Sequence, residues 1–189
     1  LLLVADEIAT GFGRTGSMFA CEQADLVPDI LCLGKALTGG TLGMAATVAT
    51  GEVFDAFCGQ EESLALMHGP TYMANALACA AAHGSLDLFA QQPRLSQAAA
   101  IETALAEQLE PCRGMSGVID VRTRGGIGVV QVESLHSREK LSECFVEAGI
   151  WLRPFHDMFY LTPPLSIAPE QLQTLTAATV DVIHQWSRW

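Results

Sequence analysis

Positively charged residues are scarce in this sequence. Lysine and arginine together number 10 against 21 aspartates and glutamates, which gives a formal net charge of −11 at pH 7. The basic residues are scattered along the chain, whereas binding to nucleic acid or to an anionic membrane requires clustered basic side chains. The composition therefore argues against both kinds of partner.

Long apolar runs and paired cysteines are also missing. No apolar stretch approaches the ~20 residues that cross a bilayer, and the opening LLLVAD lacks the basic flank and cleavage site of a signal peptide. The six cysteines form no CxxC pair and lie in apolar segments, at positions 21, 32, 58, 79, 112 and 144. This spacing favours buried free thiols over disulfides or a metal site, so we expect no zinc and a cytoplasmic location. Because the chain opens without methionine inside a strand-like run, we expect it to be part of a longer protein.

Apolar residues, by contrast, are plentiful. They make up 50% of the 189 residues while only 16% are charged, which is typical of a folded globular protein. The pattern breaks at Pro93, where we place the boundary between a first domain, residues 1–92, and a small α+β domain, residues 93–189. The second domain should begin with a helix, because Leu95 to Leu109 show helical spacing.

Hydrophobic periodicity predicts the remaining elements. In the first domain we expect strands at 1–5, 30–33 and 44–50 and helices at 52–57 and 75–89. In the second we expect strands at 118–121 and 127–132 around an RTRGG turn, a helix at 141–148, two short strands within 150–161, and a final amphipathic helix after Pro169.

Two of these strands end on residues that can carry chemistry. Leu1 to Ala5 is an apolar run closed by Asp6 and Glu7, which is typical of a buried parallel strand with acids at its carboxyl end. In open α/β sheets that edge faces the crevice where ligands bind. We therefore expect these acids to face a ligand crevice.

Lys35 follows the second apolar run, Ile30 to Leu33, and stands among glycines in LGKALTGG. The chain has only one other lysine, Lys140, in a charged segment where a solvated role is natural. A strand buried on both faces would leave the Lys35 ammonium poorly solvated, which favours the neutral, nucleophilic amine. The alternative is a side chain that extends from the strand end to solvent.

Three interpretations compete for the opening segment LLLVADEIATGFGRTG. A Walker B strand would require a G-x-x-x-x-G-K-[ST] loop, but Lys35 is followed by Ala36. A dinucleotide fingerprint is spelled by Gly11, Gly13 and Gly16, although these glycines follow the strand only after five residues. The third interpretation makes Asp6 a charge partner for a cofactor in the same crevice as Lys35.

The spacing of Asp6 and Lys35 favours the third interpretation. Their separation matches one crossover between neighbouring parallel strands, so both side chains would reach one crevice. A lysine that forms a Schiff base and an aspartate that keeps a pyridine nitrogen protonated are what pyridoxal phosphate requires to act as an electron sink. The residues alone therefore point to pyridoxal 5'-phosphate as cofactor.

Three segments carry a resemblance to a known family: DEIATGFGRTG, LCLGKALTGG and HGPTYMANALACAAA. The sequence resembles the class III aminotransferases of the fold type I group, and Ala9 and the IGVV at Ile127 to Val130 favour the branch that acts in biotin synthesis. The resemblance covers the whole chain but only the second half of the family's length. It implies that residues 1–92 are the second half of the cofactor-binding large domain, with a mixed, mostly parallel sheet covered by helices on both faces.

The resemblance also implies roles for individual residues. Lys35 would form the Schiff base, Asp6 would pair with the pyridine nitrogen, and Thr71 of one subunit would bind the cofactor phosphate in the other, so that the protein is a homodimer. The family's ring-stacking aromatic, its glycine and serine phosphate turn and its donor-binding residues would lie upstream of Leu1. The alternatives left open are an ω-amino acid or diamine aminotransferase and a catalytically silent remnant domain.

A substrate anchor is suggested by Arg153, an arginine in the apolar segment IWLRPF. A buried guanidinium needs an acidic partner, which could be an internal carboxylate or one from a ligand. The resemblance implies that Arg153 binds the carboxylate of the oxo-acid acceptor, with Tyr160 nearby, while the amino donor is a second small molecule. Three positions depart from the family's usual residues, namely Ala76 in place of proline, Thr162 in place of methionine and Leu165 in place of tyrosine.

Overall fold

The computed structural model describes residues 1–189, which divide into two units. Unit 1 comprises Leu1–Phe12 and Ser17–Pro93, and unit 2 comprises Gly13–Gly16 and Arg94–Trp189. Four residues of the loop after the first strand are therefore part of unit 2. None of the helices combines the length and the apolar character that crossing a bilayer requires.

Unit 1 is built on a three-stranded mixed sheet. Strand β1 (Val4–Asp6) pairs in parallel with β2 (Ile30–Leu33), which confirms the predicted crossover, and β2 pairs antiparallel with β3 (Ala46–Ala49). Helix α1 (Gly51–Asp55) follows β3, and helix α2 (Ala76–Gln91) closes the unit. The small hydrophobic core of unit 1 includes Phe12, Leu33 and Leu37.

The prediction that Leu1 to Ala5 forms a buried strand is wrong for this chain. Leu1, Leu2, Leu3 and Val4 are all exposed, and Val48 on β3 is exposed as well. The physical reason is that β1 is an edge strand here, and no further strand of unit 1 pairs with it. An apolar run indicates a strand suited to burial, but only neighbouring elements can bury it.

Unit 2 is an antiparallel sheet covered by helices. Its strands are β4 (Val118–Arg124), β5 (Ile127–Val132) and β6 (Met158–Leu161), paired in that order. The helices are α3 (Arg94–Leu109), α4 (Arg138–Glu147) and α5 (Pro169–Trp186). Alternate β5 residues, including Val130 and Val132, are buried among fully buried helix residues such as Leu105 and Phe145.

Two predictions for unit 2 require correction. Strand β4 continues to Arg124, so the turn is the two-residue Gly125-Gly126, in which Gly125 takes φ +53°. Such two-residue hairpin turns need positive φ, which glycine supplies without strain. The expected pair of strands within 150–161 is a single strand, β6, preceded by one isolated bridge between Phe155 and Met158. Pro154 lacks a backbone N–H and cannot donate to a ladder in the middle of this segment.

Candidate functional site

The register of β1 and β2 brings Asp6 and Lys35 to the same edge of the unit 1 sheet. Asp6 lies opposite Cys32, the Glu7 amide donates to the Cys32 carbonyl at 2.9 Å, and Lys35 follows three residues later. One carboxylate oxygen of Asp6 accepts the Ile8 amide at 3.1 Å, and its side chain is exposed. A carboxylate and an amine thus stand at the carboxyl ends of two paired parallel strands.

Lys35 is exposed, so the expected burial of its ammonium is not found in this chain. The backbone turns away from the sheet at Gly34 and enters a 3₁₀ turn, Lys35–Thr38, with Lys35 itself at φ +46°. Left-handed backbone is unfavourable for a residue with a Cβ and is found where the surroundings hold it in place. The backbone strain is therefore at Lys35, the residue that the sequence predicts to be the nucleophile.

Glu7 does not face the crevice, contrary to expectation. It is 3% exposed, and it accepts hydrogen bonds from the Thr10 hydroxyl and from the Cys21 amide, the latter at 2.7 Å. Burial alone would raise the pKa of Glu7, but the hydrogen bonds from Thr10 and from the backbone at Ala20 and Cys21 outweigh it, so the pKa is lowered. Glu7 thus holds together the loop that follows Asp6.

Thr71 is exposed in a turn at 71–74 that leads into α2. Asn75 caps this helix, since its side-chain oxygen accepts the amides of Leu77 at 3.0 Å and Ala78 at 3.1 Å. Ala76, where the family usually has proline, is the first residue of the helix. The cap therefore satisfies two of the first amides of the helix, while the Thr71 side chain stays exposed in the preceding turn.

Arg153 and Tyr160 line one open cleft of unit 2, with a volume of about 440 Å³. Trp151 and Thr162 also face this cleft. Arg153 is exposed, so its predicted burial is not found, and it makes no ion pair with an acidic residue of unit 2, which is the alternative of an internal carboxylate partner. The guanidinium is therefore available to an anion that enters the cleft.

Arg14 was not singled out from the sequence, yet it holds the loop that forms one wall of the cleft. Its guanidinium donates to the carbonyl oxygens of Pro163 at 2.7 Å and Gly126 at 3.0 Å, and its own carbonyl accepts the Gly126 amide at 2.9 Å. Burial lowers the pKa of Arg14. Its carbonyl partners lie more than 100 residues away in sequence, so no local pattern could reveal them.

The functional groups of unit 1 fit pyridoxal phosphate. The cofactor needs a primary amine for its aldehyde and an acid for its pyridine nitrogen, and Lys35 and Asp6 provide these from adjacent strand ends. Thr71 adds an exposed hydroxyl for the phosphate.

Comparison with known protein families identifies the family of this chain. Residues 1–183 match the family described as "Aminotransferase class-III". The chain belongs to the class-III aminotransferases. All six cysteines of this class-III chain are free, and Cys58 is exposed where burial was expected.

Individual relatives carry more specific names. The chain is 43% identical to adenosylmethionine-8-amino-7-oxononanoate aminotransferase of Mycobacterium leprae, over 96% of its own length and 42% of the relative. A crystal structure of the enzyme of that name from Methanocaldococcus jannaschii superposes with a TM-score of 0.88 at 35% identity, covering 98% of this chain and 46% of that one. An amine transaminase from an uncultivated Pseudomonas species, solved with PLP bound, gives a TM-score of 0.90 at 30% identity, covering 99% of this chain and 45% of that one. The class-III chain therefore spans less than half the length of these relatives.

Proposed function

We propose that this chain is the C-terminal part of a pyridoxal phosphate aminotransferase that converts 8-amino-7-oxononanoate to 7,8-diaminononanoate with S-adenosylmethionine as amino donor. The observation that carries the proposal is the pairing of β1 with β2, which brings the Asp6 carboxylate and the Lys35 amine to one sheet edge. The names of the relatives support the choice of substrates.

Two residues of unit 1 act on the cofactor in this proposal. Pyridoxal phosphate supplies an aldehyde that condenses with amines and a ring that withdraws electrons from the bound carbon. Lys35 would hold the cofactor through Nζ, and its amine would be the base that takes the proton from the Cα of the donor. Asp6 accepts a hydrogen bond from the pyridine nitrogen and keeps that nitrogen protonated.

Arg153 is the anchor for the acceptor. Its guanidinium and the Tyr160 hydroxyl line the same cleft, and no acidic side chain of unit 2 neutralises the guanidinium. The acceptor carries its carboxylate at the far end of an aliphatic chain from the ketone. A carboxylate anchored by the planar fork of Arg153 suits such a molecule.

The working protein is proposed to be a homodimer in which Thr71 binds the phosphate of the partner's cofactor. In support, four apolar or aromatic side chains close to Thr71 in sequence are exposed: Leu66, Met67, Tyr72 and Met73. Exposed apolar side chains that lie together are typical of an interface. Sedimentation of the intact protein as an active monomer would remove this role from Thr71.

We further propose that residues 1–92 belong to the large domain of the enzyme and residues 93–189 to its small domain, and that the enzyme acts in the cytoplasm. The separation of Ser17–Pro93 from Arg94–Trp189 supports this domain assignment. The chain alone should have no turnover, because it spans less than half the length of its relatives.

Absorbance of the bound cofactor tests the role of Lys35. The intact protein that contains this chain should gain a visible band with pyridoxal phosphate, and Lys35→Ala should abolish it. Lys140→Ala is the matched control, because Lys140 is the only other lysine and lies over the Trp189 ring instead of at the sheet edge. Absence of the band in the unsubstituted protein would favour a catalytically silent remnant.

Single-turnover assays with different amino donors test the substrate assignment. S-adenosylmethionine should convert the bound cofactor to its amino form, and 8-amino-7-oxononanoate should restore it. Lysine and common ω-amino acids serve as competing donors. Conversion by an ω-amino acid but not by S-adenosylmethionine would replace the proposal with an ω-amino acid or diamine aminotransferase.

A further inference from the structure

The turn that carries Lys35 needs an external support. Lys35 lies at φ +46° and Gly39, at the end of the same turn, at φ +60°. Glycine adopts this conformation freely, whereas lysine does so at a cost and keeps it only where neighbouring groups fix the backbone. The groups of unit 1 that fix it lie partly inside the turn and partly outside it.

Some of the support is local. The Gly39 amide donates to the Ala36 carbonyl at 2.9 Å, and the buried Thr38 hydroxyl donates to the Leu42 carbonyl at 2.6 Å. These bonds close the turn on itself. They leave its orientation relative to the rest of unit 1 undetermined, because both partners of each bond lie within the same short segment.

Ser85 supplies a bond from outside the turn. Its hydroxyl, on α2, donates to the Ala36 carbonyl at 2.9 Å, across 49 residues of sequence. Ser85 also packs against the end of the turn, since a Cβ added at Gly39 would stand at an ordinary contact distance of 3.6 Å from the Ser85 hydroxyl oxygen. The carbonyl of the residue after Lys35 therefore receives two donors, one from its own turn and one from α2.

Helix α2 also connects this bond to the segment of Thr71, which is proposed to bind the phosphate of the partner's cofactor. The helix is 16 residues long and begins at Ala76, shortly after Thr71, with a cap provided by Asn75. A helix of this length is a rigid element. It therefore relates the turn that holds Lys35 to the segment that holds Thr71.

We propose that Ser85 is a positioning residue that orients Lys35 toward the cofactor by holding the Ala36 carbonyl. This inference rests on the proposed function, because it assigns to Lys35 the reaction with pyridoxal phosphate. Without the hydroxyl, the turn keeps its local bonds but loses its tie to α2, and the strained Lys35 backbone can relax. Lys35 Nζ would then spend less time in the orientation that meets the aldehyde.

Two measurements on the intact protein test the proposal, with pyridoxal phosphate as the probe. The first is hydrogen exchange of the segment 34–42 in the cofactor-free protein, which includes the Gly39 amide. The second is the rate at which the cofactor-free protein combines with pyridoxal phosphate, followed by absorbance. Ser85→Ala should exchange about threefold faster in this segment and combine about threefold more slowly, as expected for the loss of one neutral hydrogen bond that is open to solvent.

Two further variants separate positioning from general destabilisation. Ser85→Thr keeps a hydroxyl at this position and should restore both rates. Ser142→Ala is the matched control, because Ser142 is also a helical serine but donates to its own helix at the Arg138 carbonyl, 3.0 Å away. It should leave both rates unchanged.

Three results would overturn the proposal: unchanged rates in Ser85→Ala, equal defects in Ser85→Ala and Ser85→Thr, or faster exchange throughout unit 1 in Ser85→Ala. Failure of the proposed function is a different result. In that case the unsubstituted protein would show no cofactor band, which would remove the role toward the cofactor, while the exchange data would still decide whether Ser85 holds the turn.

Discussion

Glu7 offers a stringent test of the loop that follows Asp6, because its carboxylate is 3% exposed and still accepts hydrogen bonds from two parts of that loop. Glu7→Gln keeps the size and one acceptor oxygen of the side chain but removes the charge. The remaining oxygen can accept the Cys21 amide, and the new NH₂ group can donate to the Thr10 hydroxyl, which can act as an acceptor. The substitution therefore isolates the contribution of the charge.

The expected loss follows from the hydrogen bonds present. Bonds to charged groups are worth about 1.5–3 kcal/mol each and neutral ones about 1 kcal/mol. Replacing two charge-assisted bonds by two neutral ones should therefore lower the free energy of unfolding by about 1–4 kcal/mol at pH 7, less the burial cost that the charge no longer incurs. We expect a net loss of about 2 kcal/mol.

The direction of the Glu7 pKa shift determines how this stabilisation changes with pH. The pKa of Glu7 is lowered in the folded protein, with burial opposing the shift and the hydrogen bonds from Thr10, Ala20 and Cys21 producing it. The folded state therefore binds the Glu7 proton less tightly than the unfolded state, and the stabilisation is fully present above the ordinary value of 4.5. It should be lost as the pH falls through the folded pKa, so the difference in stability between the unsubstituted protein and the Glu7→Gln variant should shrink in acid.

Urea unfolding of the intact protein at a series of pH values measures this difference. Glu22→Gln is the matched control, because Glu22 belongs to the same loop but is exposed. It should change stability little at any pH. The reasoning would be refuted by a difference for Glu7→Gln that stays constant or grows as the pH is lowered from neutral to below 4.5.

Two other substitutions test unit 2. A Cβ at Gly128 would stand 2.8 Å from the fully buried side chain of Leu109. Gly128→Ala should therefore lower the free energy of unfolding of unit 2 by about 1–3 kcal/mol, measured by urea unfolding. Gly114→Ala is the control and should not change it, because a Cβ at Gly114 would meet open space. Arg153→Ala should weaken use of the acceptor roughly 10-fold in single-turnover assays, because Arg153 is exposed and a hydrogen bond to a charged group is then worth about 1.5 kcal/mol. An equal loss in the S-adenosylmethionine half-reaction would contradict the assignment of Arg153 to the acceptor.

Apolar spacing along the sequence correctly predicted several of the helices and strands. The strand at Ile30–Leu33 and the helix after Pro169 were both expected from their apolar spacing and are both present. In the last helix the buried face includes Thr176, which the apolar pattern does not predict. Its hydroxyl has two acceptors, the Gln108 side-chain oxygen at 2.5 Å on another helix and the Leu172 carbonyl at 3.0 Å in its own helix, and the distant one is not encoded in a local pattern.

Burial and long-range partners could not be predicted in the same way. The apolar run at Leu1 to Val4 is exposed because burial depends on which elements lie beside a strand. Lys35 and Arg153 are likewise exposed, although the apolar segments around them predicted burial. The partners of Glu7 and Arg14 are set by the path of the loop between β1 and β2, which periodicity does not encode.

Because Gly13–Gly16 belong to unit 2, the two units cannot be separated by a single cut in the chain. The chain passes from one unit to the other after Phe12, after Gly16 and again after Pro93. A protein cut at Pro93 would therefore leave Arg14 on the N-terminal piece, although its hydrogen-bond partners Gly126 and Pro163 are on the C-terminal piece. Neither unit is therefore self-contained: residues 94–189 moved alone onto another protein would include Pro163, which lines the cleft, but would lack Arg14, whose guanidinium donates to the Pro163 carbonyl.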